Sequence, residues 1–127
     1  MNIIIDSSGW LEYFSDGKSA DFFAEVILNK TSTIIIPVII IYEIFKKILV
    51  EADEDRALQV IAVFKNYQIE NIDDSTAIKA ARLSYEYKIP MADSFIYAVT
   101  LKHKAILWTQ DEHFKNLPGV KYIEKKN

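Results

Sequence analysis

With 127 residues, half of them hydrophobic, and only three glycines and three prolines, the chain is expected to form a single folded domain, residues 1–127, with a core of its own. The absence of cysteine excludes a disulfide scaffold, a thiolate metal site and a cysteine nucleophile, and two histidines, His103 and His113, leave no histidine-rich zinc site. The formal charge of −3 is low for a sequence-independent nucleic-acid binder, but it is uneven: residues 1–64 carry ten acids and five bases, residues 65–127 eight acids and ten bases.

Taken in chain order, strands and helices alternate. Residues 2–5, with Ile3, Ile4 and Ile5, form a short β-branched strand buried on both faces. A helix over 7–14 follows, then a turn through Ser15, Asp16, Gly17 and Lys18. An amphipathic helix starts at Ser19 or Asp21 and runs to about 29. A second buried strand covers 33–36. Pro37 suits the first turn of the next helix, where its missing N–H costs little, and that helix reaches about 50. The acids from Glu51 to Asp55 make a solvated corner and cap a helix over 56–66.

A third strand spans 68–72, and Asp73 or Asp74 caps a helix ending near 87. Pro90 breaks the chain before a helix over 91–104. A fourth strand at 105–109, a helical turn at 111–116 and a fifth strand at 120–123 follow, and the tail 124–127 is expected to fray. Apolar strands alternating with helices mean a parallel sheet covered on both faces, a three-layer α/β/α sandwich, with ligands beyond the carboxyl ends of the strands. The apolar run at the start has no basic flank and is too short for a signal peptide. The longest apolar stretch, 34–42, contains Pro37 and falls short of the ~20 residues of a membrane span, so a cytoplasmic location is expected.

Four acids stand where a carboxylate needs a reason. Asp6 ends the first strand, Glu43 interrupts an apolar helix, Asp93 lies at the start of the 91–104 helix and Asp111 follows the fourth strand. Simple structural roles exist for three of them. Asp6 and Asp111 suit helix caps, with Ser7 and Thr109 as rival caps, and Asp93 suits the positive end of a helix. Glu43 sits mid-helix, where the ordinary role is a pair with Lys47 worth only about 0.2–0.5 kcal/mol; burying it unpaired would cost several kcal/mol. Together, at the edge of one sheet, four carboxylates cannot all stay ionised without compensation, and a hard divalent cation bound through oxygen is the usual remedy. That pattern points to metal-dependent cleavage of phosphodiesters. Trp10, Tyr13 and Phe14 at helical spacing read as core, Lys46 and Lys47 as a solvated helix face, His103 as a helix end, and His113 as a surface or site-rim residue.

Four segments, Ile4-Ile5-Asp6-Ser7-Ser8, Tyr42-Glu43, Ala92-Asp93-Ser94-Phe95-Ile96-Tyr97-Ala98 and Leu107-Trp108-Thr109-Gln110-Asp111-Glu112-His113-Phe114, run in order across essentially the whole chain. Together they resemble the PIN domain family and, within it, the VapC-type toxins of prokaryotic toxin–antitoxin pairs. One departure is His113, where many relatives carry a further aspartate. The resemblance implies a five-stranded parallel sheet flanked by helices and an endoribonuclease dependent on Mg²⁺ or Mn²⁺, commonly a homodimer held inactive by an antitoxin. By position it makes Asp6, Glu43, Asp93 and Asp111 the metal-binding acids, with Ser7 and Thr109 as supporting hydroxyls. The RNA would be single-stranded or looped, where the backbone bends into a site.

Other chemistries fit less well. A haloacid-dehalogenase phosphatase needs a second aspartate two residues after its nucleophile, and Ser8 follows Asp6 at that spacing. A phosphoacceptor receiver domain needs a lysine after its late strand, where Thr109-Gln110-Asp111 stands. Glycines 9, 17 and 119 form no phosphate-binding loop. From another class, the same fold serving only to bind RNA or a protein would be separated by metal-dependent turnover.

Overall fold

All pairings in the sheet are parallel. The computed structural model describes residues 1–126 and contains strands β1 (Asn2–Ile5), β2 (Thr33–Pro37), β3 (Gln68–Glu70), β4 (Ile106–Thr109) and β5 (Val120–Tyr122), in the spatial order β3-β2-β1-β4-β5. Six α-helices connect them: α1 (Ser7–Phe14), α2 (Ala20–Ile27), α3 (Val38–Glu51), α4 (Glu54–Phe64), α5 (Asp74–Tyr87) and α6 (Met91–Lys102). A 3-10 turn, Glu112–Phe114, precedes β5. The three-layer α/β/α sandwich is therefore present, and among the described residues no helix is long and apolar enough to cross a membrane.

The central strands carry isoleucine at successive positions because both sheet faces are covered. Ile3, Ile4 and Ile5 of β1 and Ile34, Ile35 and Ile36 of β2 are all buried. Trp10 is fully buried and packs on Phe14, Phe64 and Tyr67, and Tyr13 and Phe14 are half-buried against the same core; these aromatics are core residues, as their spacing suggests. Strand order reverses between β1 and β4, so the carboxyl ends of these two neighbours open the crevice that parallel sheets use for ligands.

Differences from the expected elements are confined to their ends. Pro37 closes β2 and serves as the N-cap of α3 instead of lying in its first turn; its φ of −60° and ψ of 136° are extended, not helical. β3 stops at Glu70, two residues early, and α2 stops at Ile27. Residues 124–126 carry no regular structure, and Asn127 of the expected frayed tail lies outside the described residues.

Gly9 is required by close approach. A Cβ there would stand 2.5 Å from Ile5 Cγ2 and 2.6 Å from Phe23 Cε1, both in the core. Gly9→Ala is expected to destabilise by about 1–3 kcal/mol through overpacking, read as a shift in the urea midpoint; an unchanged midpoint would mean that the α1–α2 packing yields freely.

Candidate functional site

The switch-point crevice is where the singled-out acids meet. Asp6 follows β1 and is the N-cap of α1: its Oδ1 accepts from Gly9 N at 3.0 Å and from Ser8 Oγ at 2.7 Å. The cap leaves Oδ2 for Thr109, whose hydroxyl donates to it at 2.6 Å from the end of β4. Asp6 is thus both the helix cap and a member of the cluster. Thr109 Oγ1 also accepts from Asp111 N at 2.9 Å, which fixes the chain just before Asp111.

Glu43 does not pair with Lys47, which bridges to Glu51 at 2.9 Å, one turn further on. Instead it lies half-buried between Ile40 and Ile44 and accepts from Ser7 Oγ at 3.0 Å, across two helices. Asp93 is the third residue of α6, close to the positive end of the helix, and is nearly buried. Asp111 caps the 3-10 turn by accepting from His113 N at 2.9 Å. The His113 ring returns over both acids, with Nδ1 2.9 Å from Asp93 Oδ2 and 3.1 Å from Asp111 Oδ1.

Electrostatics couple Asp6, Glu43 and Asp93 to Asp111. Burial pushes Asp6 up to about 7 against the stabilising bonds from Thr109, Ser8 and Gly9, and the charge of Asp111 adds to the rise. Burial raises Asp93 to about 6, again with Asp111 adding. Glu43 is raised by burial and by Asp111, with Ser7 opposing. For His113, desolvation acts downward but is outweighed by Asp111 and Asp93, and the net shift is upward. Three carboxylates this reluctant to ionise are short of positive charge.

The convergence is uneven. Among the described residues, one group of three or more brings all its ligand atoms within 4.8 Å of one another, and it consists of Asp93, Asp111 and His113. Asp6 and Glu43 sit outside that inner group, coupled to it through Asp111's charge. The donor set, carboxylate oxygens with one imidazole and no thiolate, suits a small divalent cation. Ser7 and Thr109 each hold an acid, but different ones.

Two contributors, Ser8 and Gln110, went unrecognised in the sequence, and a third, His113, was read too narrowly. His113 is at the rim, as expected, yet it also reaches the inner group. Ser8 bonds Asp6, and its place two residues after a capping aspartate was a usable signal. Gln110, buried, donates through Nε2 to Glu12 Oε2 at 2.8 Å and ties α1 to the segment between Thr109 and Asp111. The remaining charges hold simple roles. Asp53 and Asp73 cap α4 and α5, His103 ends α6 against Glu70, and Lys46 lies over the exposed ring of Tyr42.

Comparison with known proteins agrees with this architecture. The profile of the PIN domain matches residues 3–120. No curated protein sequence matches the chain. Among solved structures, a toxin–antitoxin complex from Klebsiella pneumoniae contains a chain similar to this one, with 23% identity, TM-score 0.78, and 97% of this chain and 99% of that chain covered. VapBC2 from Rickettsia felis, bound to a promoter DNA fragment, gives 17% identity and TM-score 0.75, with 98% of each chain covered. VapC20 from Mycobacterium tuberculosis, a toxin that cleaves the sarcin–ricin loop, gives 14% identity and TM-score 0.76, with 98% of this chain and 99% of that one covered. At these identities the structures share the fold, and the profile carries the assignment: the chain belongs to the PIN domain family.

Proposed function

We propose that the protein is a Mg²⁺- or Mn²⁺-dependent endoribonuclease, the toxin of a type II toxin–antitoxin pair. The observation that carries this reading is the gathering of Asp6, Glu43 and Asp93 around Asp111 at the switch point, with the carboxyls of the first three held above their ordinary range by burial and by the charge of Asp111. Its support is the family, together with neighbours described as toxin–antitoxin complexes and one described as a toxin that cleaves the sarcin–ricin loop.

In this reading Asp93 and Asp111 would hold the cation, and Asp6 and Glu43 would complete its surroundings. The chemistry supplied by a bound cation is Lewis acidity, which neutralises phosphate charge and eases ionisation of water at neutral pH. The chain supplies position. Thr109, Ser8 and the backbone of Gly9 leave Asp6 one orientation, and Ser7 does the same for Glu43. Hydrolysis then adds water to phosphorus as one P–O bond breaks, without a side-chain nucleophile. The substrate is RNA, single-stranded or looped; the partners are a cognate antitoxin and a second copy in a homodimer; the location is cytoplasmic.

Metal alone provides a first test. A cation at a hundredfold excess over its Kd adds about 2.7 kcal/mol to stability by mass action. The melting temperature should therefore rise by several degrees in millimolar Mn²⁺ or Mg²⁺ and return in EDTA. An unchanged melting temperature contradicts a preformed site. Metal-dependent RNA cleavage tests the activity itself.

A further inference from the structure

We propose that His113 is a metal ligand, making the centre a mixed nitrogen–oxygen site that favours Mn²⁺ over Mg²⁺. The inference rests on the metal-dependent reading above and concerns one side chain of that site.

The geometry is local and well held. His113 Nδ1 lies 2.9 Å from Asp93 Oδ2 and 3.1 Å from Asp111 Oδ1. Neighbouring donors around an octahedral cation with bonds of about 2.0–2.1 Å stand about 3 Å apart. The ring nitrogen therefore already keeps the spacing of an adjacent ligand to both carboxylates. It does so from a braced backbone: His113 N donates to Asp111 Oδ1, and Phe114, the next residue, is fully buried and anchors the turn. Half of the His113 side chain is exposed, so the ring can adjust as a cation enters.

Donor chemistry gives the consequence. Carboxylates suit Mg²⁺ and Mn²⁺ alike, whereas imidazole is a softer donor that transition metals accept more readily. Mg²⁺ also demands near-ideal octahedral geometry and sheds water reluctantly. A nitrogen donor beside Asp93 and Asp111 is therefore one that Mg²⁺ uses poorly. It still serves Mn²⁺.

The test reads the ligand directly. Metal-free protein loaded with Mn²⁺ and examined by pulsed electron paramagnetic resonance should show modulation from a directly coordinated nitrogen nucleus. The signal should vanish in His113→Gln and in His113→Asp. Calorimetric titration should show the preference for Mn²⁺ over Mg²⁺ falling about tenfold or more in His113→Asp. Bound Mn²⁺ without a coordinated nitrogen would overturn His113 as a ligand and leave the metal centre standing. Wild-type protein that binds no Mn²⁺ at millimolar concentration would remove the centre itself, and this inference with it.

Discussion

Asp93→Asn is expected to slow metal-dependent RNA cleavage by about 10³-fold or more, with the fold retained. Asp93 belongs to the inner group and bonds His113 at 2.9 Å, so its amide would lose both the charge and a ligand oxygen at the point of closest approach. Losing a residue that merely orients a ligand typically costs 10–100-fold in metal affinity or activity, and losing a ligand costs more. Folding should not suffer, because burial already pushes this carboxyl up to about 6 and the neutral form is not far from favoured at pH 7. The variant should elute and give circular dichroism as the wild type does and, in EDTA, melt no lower; single-turnover rates on an RNA oligonucleotide give the comparison. A rate within tenfold of wild type would remove Asp93 from the mechanism.

Asp6→Asn should raise the melting temperature of the metal-free protein at pH 7.5 by about 5 °C or more while abolishing cleavage. Asp6 is 2% exposed and burial holds its carboxyl at about 7, so ionising it in the folded state opposes folding. Between about pH 4 and 7 the folded protein binds this proton more tightly than the unfolded chain does. The difference in bound protons, unfolded minus folded, is therefore negative, and stability falls as pH rises. Asp93, raised to about 6, acts in the same direction over a narrower window. A shift of this size corresponds to a few kcal/mol at neutral pH, and 1 kcal/mol moves the melting point of a domain this long by roughly 3–6 °C. In EDTA the wild type should melt higher at pH 5 than at pH 7.5; the asparagine variant should flatten that dependence, and saturating Mn²⁺ should do so in the wild type. A melting temperature that climbs through this window would mean that Asp6 ionises without penalty.

The sheet and its order of elements were legible because the strongest signals were local. Three consecutive isoleucines in β1 and again in β2 admit little but a strand covered on both faces, and Pro90 with the acids near 53 and 73 marked helix starts through chain geometry and capping. Element ends drifted where hydrogen bonding decides: whether Pro37 belongs to β2 or α3 depends on its pairing with Glu70, which no local signal carries. Glu43 stood out because an acid among Ile40, Ile41 and Ile44 has no ordinary use. Its partner did not. Ser7 lies 36 residues away in sequence and meets Glu43 only once α1 and α3 are packed. The role of His113 was hidden for a similar reason. Its ring direction follows from a 3-10 turn and from Asp93, 20 residues earlier, so its identity alone suggested a rim residue.

Cleavage of a panel of tRNA, rRNA and single-stranded oligonucleotides by the purified, antitoxin-free protein tests the central claim most directly, run with Mn²⁺, with Mg²⁺ and with EDTA beside Asp93→Asn. Discrete fragments that require metal and are missing from the Asp93→Asn lane are the predicted result. Folded protein that binds metal yet leaves every RNA intact, or fragments that persist in EDTA, would contradict it.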